Sequence, residues 1–307
     1  MTGSPPHHQQ RRQNIEGGNP LACPAVVVNT VEYPFEIIPA AGNRLSPVVV
    51  NSPHSGRRYP NHFLDQASLP LDQLRQVEDA GVDRLLTFQP LPAPILMAQF
   101  PRSFVDVNRQ ADEIDAQMFD GPVGTTNPKV TRYLRSGLGM IPKKAARQKD
   151  IYTNPLPASE VELRRQHYYT PYHKALQTMI RSARSHDHAL LLDCHSMPSG
   201  LFGVDSDVII GSNHGQSARP WVVDAALNYF SREGLRTRLN SPFSGGFITK
   251  HYGNPVAGVS ALQIEICRSC YLDETSLELK QDWSAMASIL CRFVLHMDEL
   301  MIRRGDD

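Results

Sequence analysis

The chain has 307 residues, with 31 Lys plus Arg against 31 Asp plus Glu and a formal net charge of zero. That balance gives no global field to steer it to nucleic acid or to an acidic membrane, and no apolar run approaches the roughly 20 residues of a membrane span. Hydrophobic content of 41% and charged content of 20% describe a globular protein, long enough to bury most of its apolar surface.

The start, MTGSPPHHQQRRQNIEGGNP, lacks the apolar core of a secretion signal. Five cysteines, an odd number without close patterning, argue against a disulfide framework. Cys267 and Cys270 form a CxxC, but no second pair completes a four-cysteine zinc site. A reduced, cytoplasmic protein is expected.

Residues 1–25, rich in Pro, Gln, Arg, Gly and His without an apolar period, read as a disordered tail. Tyr33 to Pro39 and Pro47 to Asn51 read as strands joined by a turn. Apolar spacing predicts a helix over Leu71 to Phe88, weakened in its middle by Gly81. Ile95 to Phe100 and Ser103 to Val107 look like short strands, and 111–158 is irregular. Glu160 to Ser185 predicts a helix kinked at Pro171. Ala189 to Leu192 is a continuous apolar run, as in a strand buried on both faces. Further strands fall at Val208 to Gly211, Leu235 to Leu239 and Val259 to Ile266, and helices at Trp221 to Arg232 and Thr275 to Met301. Strands alternating with helices indicate an α/β sandwich with a mixed, mainly parallel sheet. With no internal repeat or inner linker, 26–307 counts as one domain.

In open α/β sheets, ligands sit beyond the carboxyl ends of strands. VVVNSPHSG places His54 just after one strand, LLLDCHSM places His195 just after another, and LQIEICR places Glu265 in or at the end of a third. A carboxylate inside an apolar strand is expensive without a partner, and a bound metal with its water would supply one. Zinc hydrolases need three protein ligands and one open position. His54 and His195 offer two imidazoles, and VEDAGVDRL offers Glu78, Asp79 and Asp83, each of which could equally be a solvated helix-face charge. No HExxH is present. Ser196 and Cys194 flank His195, but neighbours on a strand point to opposite faces, and no GxSxG elbow surrounds Ser196. Asp193 suits a partner that orients a histidine, or a loop cap. His167 and His173, six apart on a helix, do not make a joint metal site.

Seven blocks then match a family in order. They are SPHSG (Ser52 to Gly56), VEDAGVDRL (Val77 to Leu85), FPRSFVDVNR (Phe100 to Arg109), YYTPYHKAL (Tyr168 to Leu176), LLDCHSM (Leu191 to Met197), GGFITKHYGNP (Gly245 to Pro255) and ALQIEICRSCY (Ala261 to Tyr271). On these the chain resembles the N-formylglutamate amidohydrolases from about Tyr33 to the C-terminus. The resemblance implies a zinc carboxypeptidase-like fold, a three-layer α/β/α sandwich around a mixed sheet. It implies one zinc ion per chain, with His54, Asp79 and His195 as ligands. Ala80 follows Asp79 where typical members carry an aromatic residue, and the HxxE spacing of the carboxypeptidases is absent, so Asp83 stands as the alternative third ligand. Glu265 matches a strand-borne glutamate that acts as general base and acid. Arg102 would help stabilise the oxyanion. Asn108 and Arg109 match an Asn-Arg pair that holds a substrate carboxylate, and Arg268 and His251 are further substrate-binding candidates. Against these stand plainer roles: Arg109 pairing with Asp106 or Asp112, Arg268 at the surface, and GGFITKHYG as an ordinary connection. The implied activity is cleavage of the formyl C–N bond of N-formyl-L-glutamate, which in the family closes a histidine-degradation route. Another N-acyl amino acid or a small peptide is the alternative small-molecule substrate. A binding protein that kept the fold and lost catalysis is a further alternative.

Overall fold

The computed structural model describes residues 27–28, 33–124, 130–184, 187–203 and 205–305, so the tail expected over 1–25 lies outside the described residues. The apolar runs assemble into one seven-stranded sheet. In chain order its strands are β1 (Phe35–Ile38), β2 (Val48–Ser52), β3 (Ile95–Ala98), β4 (Ala189–Met197), β5 (Val208–Gly211), β6 (Thr237–Leu239) and β7 (Val259–Cys267). Their spatial order is β6-β5-β7-β4-β2-β3-β1. The pairs β6/β5, β7/β4, β4/β2 and β2/β3 are parallel, whereas β7/β5 and β1/β3 are antiparallel. The sheet is therefore mixed and mainly parallel, as expected.

Period-2 alternation divides the central strands between two cores. Val48, Val50, Leu190, Leu192, Leu262 and Ile264 face one core, shared with helices Val82–Leu86, Pro220–Arg232 and Trp283–Gly305. Val49, Leu191 and Ala261 face the other, shared with Phe63, Tyr172, Leu176, Ile180 and Ile248. Helices thus cover both faces, giving the α/β/α sandwich.

From β2 the chain moves outward to β3, then returns to the other side of β2 to lay down β4. The carboxyl ends of β2 and β4 therefore flank a topological switch point, where open α/β sheets form their crevice.

Four expectations need correction. The helix over Leu71 to Phe88 is two short helices, Leu71–Arg75 and Val82–Leu86. Gly81 between them has φ +80°, and a Cβ there would come within 2.9 Å of Leu279. Ser103 to Val107 is a turn rather than a strand: Phe104, Val105 and Val107 all enter the second core while Asp106 turns toward His54. The last helix begins at Trp283 instead of Thr275, because Asp273 accepts hydrogen bonds from the backbone N–H groups of Thr275 and Ser276, and Leu277 takes φ +59°. The strand begun at Ala189 runs to Met197, so Asp193 and His195 lie inside it. The Pro171 kink takes the form of a π-turn over Arg165–Tyr169, directly before helix Thr170–Ala183.

Candidate metal centre

The face of β2, β4 and β7 that carries apolar residues at their amino ends turns polar toward their carboxyl ends. Val49, Leu191 and Ala261 give way to Asn51, Asp193, His195, Gln263 and Glu265 on the same side. Register pairs Asn51 with Asp193, Gln263 with Asp193 and Glu265 with His195. The site is therefore built largely on strands, where side-chain positions are fixed by the sheet.

His54 lies two residues past β2, and Asp79 lies in the break between the two short helices, its N–H donating to the His54 carbonyl at 3.0 Å. Asp79 Oδ2 is 2.9 Å from His195 Nδ1 and 3.3 Å from His54 Nδ1. One potential ligand atom from each of the three residues lies within 4.8 Å of the others, and all three are buried. Asp83, the alternative ligand, instead pairs with Arg57 at 2.5 Å.

Both outer imidazole nitrogens meet carboxylates. His54 Nε2 is 2.8 Å from Asp106 Oδ1, and His195 Nε2 is 3.0 Å from Asp193 Oδ2. Such carboxylates fix the tautomer and orient the ring of a metal-ligating histidine. Asp106 is a buried hub that also accepts from the Asn108 N–H at 2.8 Å and from Arg102 Nε at 3.1 Å, with Arg109 Nη2 at 3.7 Å. Burial alone would raise its carboxyl pKa, but the Arg109 and Arg102 guanidiniums outweigh burial and hold it well below the usual carboxylate range. Asp79 behaves alike: burial opposes its charge, and the hydrogen bond from His195 with the nearby His54 outweighs it.

The residues present fit a divalent ion. Two imidazoles and one carboxylate form a zinc ligand set. His54 Nδ1 is buried and has no hydrogen-bond partner among the described residues, an expensive state that a metal bond would relieve. Ligand atoms about 2.1 Å from a tetrahedral zinc stand about 3.4 Å apart, close to the 3.3 Å between His54 Nδ1 and Asp79 Oδ2.

Glu265 is buried beside this trio, and Gln263 Nε2 donates to its Oε1 at 2.6 Å. The Gly246 N–H in turn donates to Gln263 Oε1, which fixes the amide. Burial first, then the Asp79 charge, raises the Glu265 carboxyl to about 7. Gly246 is required here, since a Cβ would come within 2.3 Å of the Asn108 amide.

The other expected residues divide. Arg102 borders the cluster with its side chain a quarter exposed; Nε is held by Asp106, and neither terminal nitrogen makes a hydrogen bond among the described residues. Asn108 is buried, its Oδ1 accepting from the Ile248 N–H and its Nδ2 lying 3.2 Å from His195 Nε2. Arg109 is engaged by protein: Nε and Nη1 donate to the carbonyls of Leu138 and Asn108, and the guanidinium lies over Tyr133. Arg268 is not at the surface; it is 5% exposed, and all three guanidinium nitrogens contact protein oxygens. His251 is exposed and stacked on Phe247, with no hydrogen bond or ion pair to the trio or Glu265 among the described residues. Of the discounted nucleophiles, Cys194 packs into the first core and Ser196 Oγ donates to Asp79 Oδ1 at 3.2 Å. Asp106 and Gln263 were missed as site residues. Gln263 was findable, since period 2 puts it on the face of Glu265.

An α/β/α sandwich that gathers two imidazoles, an aspartate and a second buried carboxylate at its switch point has the constellation of a metal-assisted hydrolase. Residues 46–272 match the family described as N-formylglutamate amidohydrolase. The chain belongs to that family. It is 31% identical over 240 residues to the N-formylglutamate deformylase of Pseudomonas aeruginosa, covering 74% of this chain and 83% of the relative. The N-formylglutamate deformylase of Pseudomonas putida is 28% identical, covering 75% and 83%. The crystal structure of the N-formylglutamate amidohydrolase from Ralstonia eutropha superposes with a TM-score of 0.83 at 30% identity, over 89% of this chain and 99% of that one.

Proposed function

We propose that the protein hydrolyses the formyl C–N bond of N-formyl-L-glutamate to formate and L-glutamate, with one zinc ion held by His54, Asp79 and His195. The observation that carries this reading is the convergence of that buried trio with Glu265, which lies in register with His195 on the adjoining strand. Family membership and the relatives' names support the substrate. Zinc, when bound, would polarise the formyl carbonyl and lower the pKa of water.

Glu265 takes the proton of the attacking water and delivers it to the nitrogen of the departing amine as the C–N bond breaks. Burial raises this carboxyl in the metal-free site and a bound cation opposes that rise, so the group can both take and return a proton. Gln263 holds the glutamate in place by its Oε1. Arg102, tethered through Nε, turns its terminal nitrogens to the negative oxygen that develops on the formyl carbon. Asp106 and Asp193 keep the two imidazoles oriented with Nδ1 inward.

The test is a turnover panel of N-formyl, N-acetyl and N-succinyl amino acids on the zinc-loaded protein. N-formyl-L-glutamate should give the highest kcat/KM. Preference for another acyl group would move the substrate while leaving the chemistry. Full activity in protein stripped of metal would sink the reading.

A further inference from the structure

Arg268 is buried, and its guanidinium donates to three protein oxygens. It lies in the turn that follows β7, three residues beyond Glu265, and its fork points back at the segment carrying Asp79. Nη1 donates to the Gln76 carbonyl at 3.2 Å and Nη2 to the Glu78 carbonyl at 2.5 Å. Tyr271 OH continues the pattern by donating to the Ala80 carbonyl at 2.8 Å. Alternate carbonyls of 76–80 are thus bound by one turn. The N–H of Asp79 between them goes to the His54 carbonyl.

The side chain of Asp79 is controlled by the same arginine. Arg268 Nε donates to Ser196 Oγ at 3.1 Å, and Ser196 Oγ donates to Asp79 Oδ1 at 3.2 Å. Arg268 Nη2 also lies 3.8 Å from Oδ1. One carboxylate oxygen is therefore engaged by protein, and the other, Oδ2, faces both imidazoles.

We propose that Arg268 is a positioning residue for the metal ligand Asp79, acting through Ser196 and the carbonyls of Gln76 and Glu78 to present the carboxylate through Oδ2 alone. This rests on the metal reading of the trio. It differs in outcome from an arginine that binds the substrate carboxylate. A lysine would keep the charge but cannot bond three separated acceptors with the geometry of a guanidinium fork.

The experiment compares full-length wild type with Ser196→Ala and Arg268→Lys. Zn2+ affinity is measured by competition with a chromophoric chelator, Co2+ absorption reports the coordination, and KM for N-formyl-L-glutamate is taken at saturating Zn2+. Both variants should bind Zn2+ about 10–100-fold more weakly, as outer partners of metal ligands do. Their Co2+ bands should shift and KM should stay at the wild-type value. Ser196→Ala removes one hydroxyl, so it keeps the test open if Arg268→Lys fails to fold. Wild-type Zn2+ affinity in Ser196→Ala would overturn the proposal. So would an Arg268→Lys that binds Zn2+ normally with a raised KM. Wild type that binds neither Zn2+ nor Co2+ would overturn the metal reading and this inference with it.

Discussion

Glu265 sits where its charge is least welcome, in register with His195 and under the field of Asp79. Its pKa of about 7 against an ordinary value of 4.5 represents on the order of 3 kcal/mol that burial and Asp79 levy on the ionised form. For an acid whose folded value is raised, that cost is absent below about 4.5 and grows as pH rises to about 7. Metal-free Glu265→Gln should therefore be more stable than metal-free wild type at pH 8, by up to the order of 3 kcal/mol, with the gap closing by pH 5. Urea melts at the two pH values check this; equal stability at pH 8 would mean the site does not oppose the charge. The same variant should lose about 10²–10⁴-fold in kcat while keeping its zinc. With Glu265 as the proposed base, the ionised form is required, so kcat/KM should decline tenfold per unit below the working pKa. A bound cation draws that pKa below the metal-free value of about 7. A profile flat from pH 8 to pH 4 would remove Glu265 as the base.

The elements were readable where an apolar pattern was long, and misread where a polar side chain or a glycine redirects the backbone. The helix over Leu71 to Phe88 keeps its apolar spacing through Val77 and Val82, yet the chain leaves the helix to bring Asp79 against His54 and His195. Gly81, visible as a weak point, is where that departure is made. Gly81→Ala would place a Cβ against Leu279 in a backbone with φ +80°. It should destabilise the protein by about 1–3 kcal/mol and weaken zinc binding, since the same turn carries the aspartate. Chemical denaturation and chelator competition measure the two effects; unchanged values in both would show that the break tolerates another conformation. The stretch 103–107 was misread for a related reason. Three apolar residues around Asp106 resemble a strand, and only the position of His54 in space shows that Asp106 must turn away from them.

For the chain as a whole, alternation of strands and helices was enough to specify layers and a mainly parallel sheet. It could not specify strand order, because the return from β3 to the far side of β2 is made by contacts distant in sequence. That return is what brings β2 beside β4 and gathers four buried carboxylates, Asp79, Asp106, Asp193 and Glu265, around two histidines. Such a centre is costly without a cation. In the metal-free state burial would lower the His195 pKa, but Asp193 and Asp79 outweigh it and raise it well above the usual histidine value, which favours the protonated ring. Zinc would bind the unprotonated ring, so its affinity should fall as pH falls. Zinc present at about 1,000 times its Kd adds about 4 kcal/mol of stability, or roughly 6 °C in Tm for a chain of this size. Chelation at pH 8 should remove that increment, and the difference between zinc-loaded and chelated melts should shrink on going from pH 8 to pH 6. No such pH dependence is expected if metal merely bound exposed surface carboxylates, which are ionised throughout this range. Coincident melts with zinc and with chelator at pH 8 would leave the trio without a cation to hold.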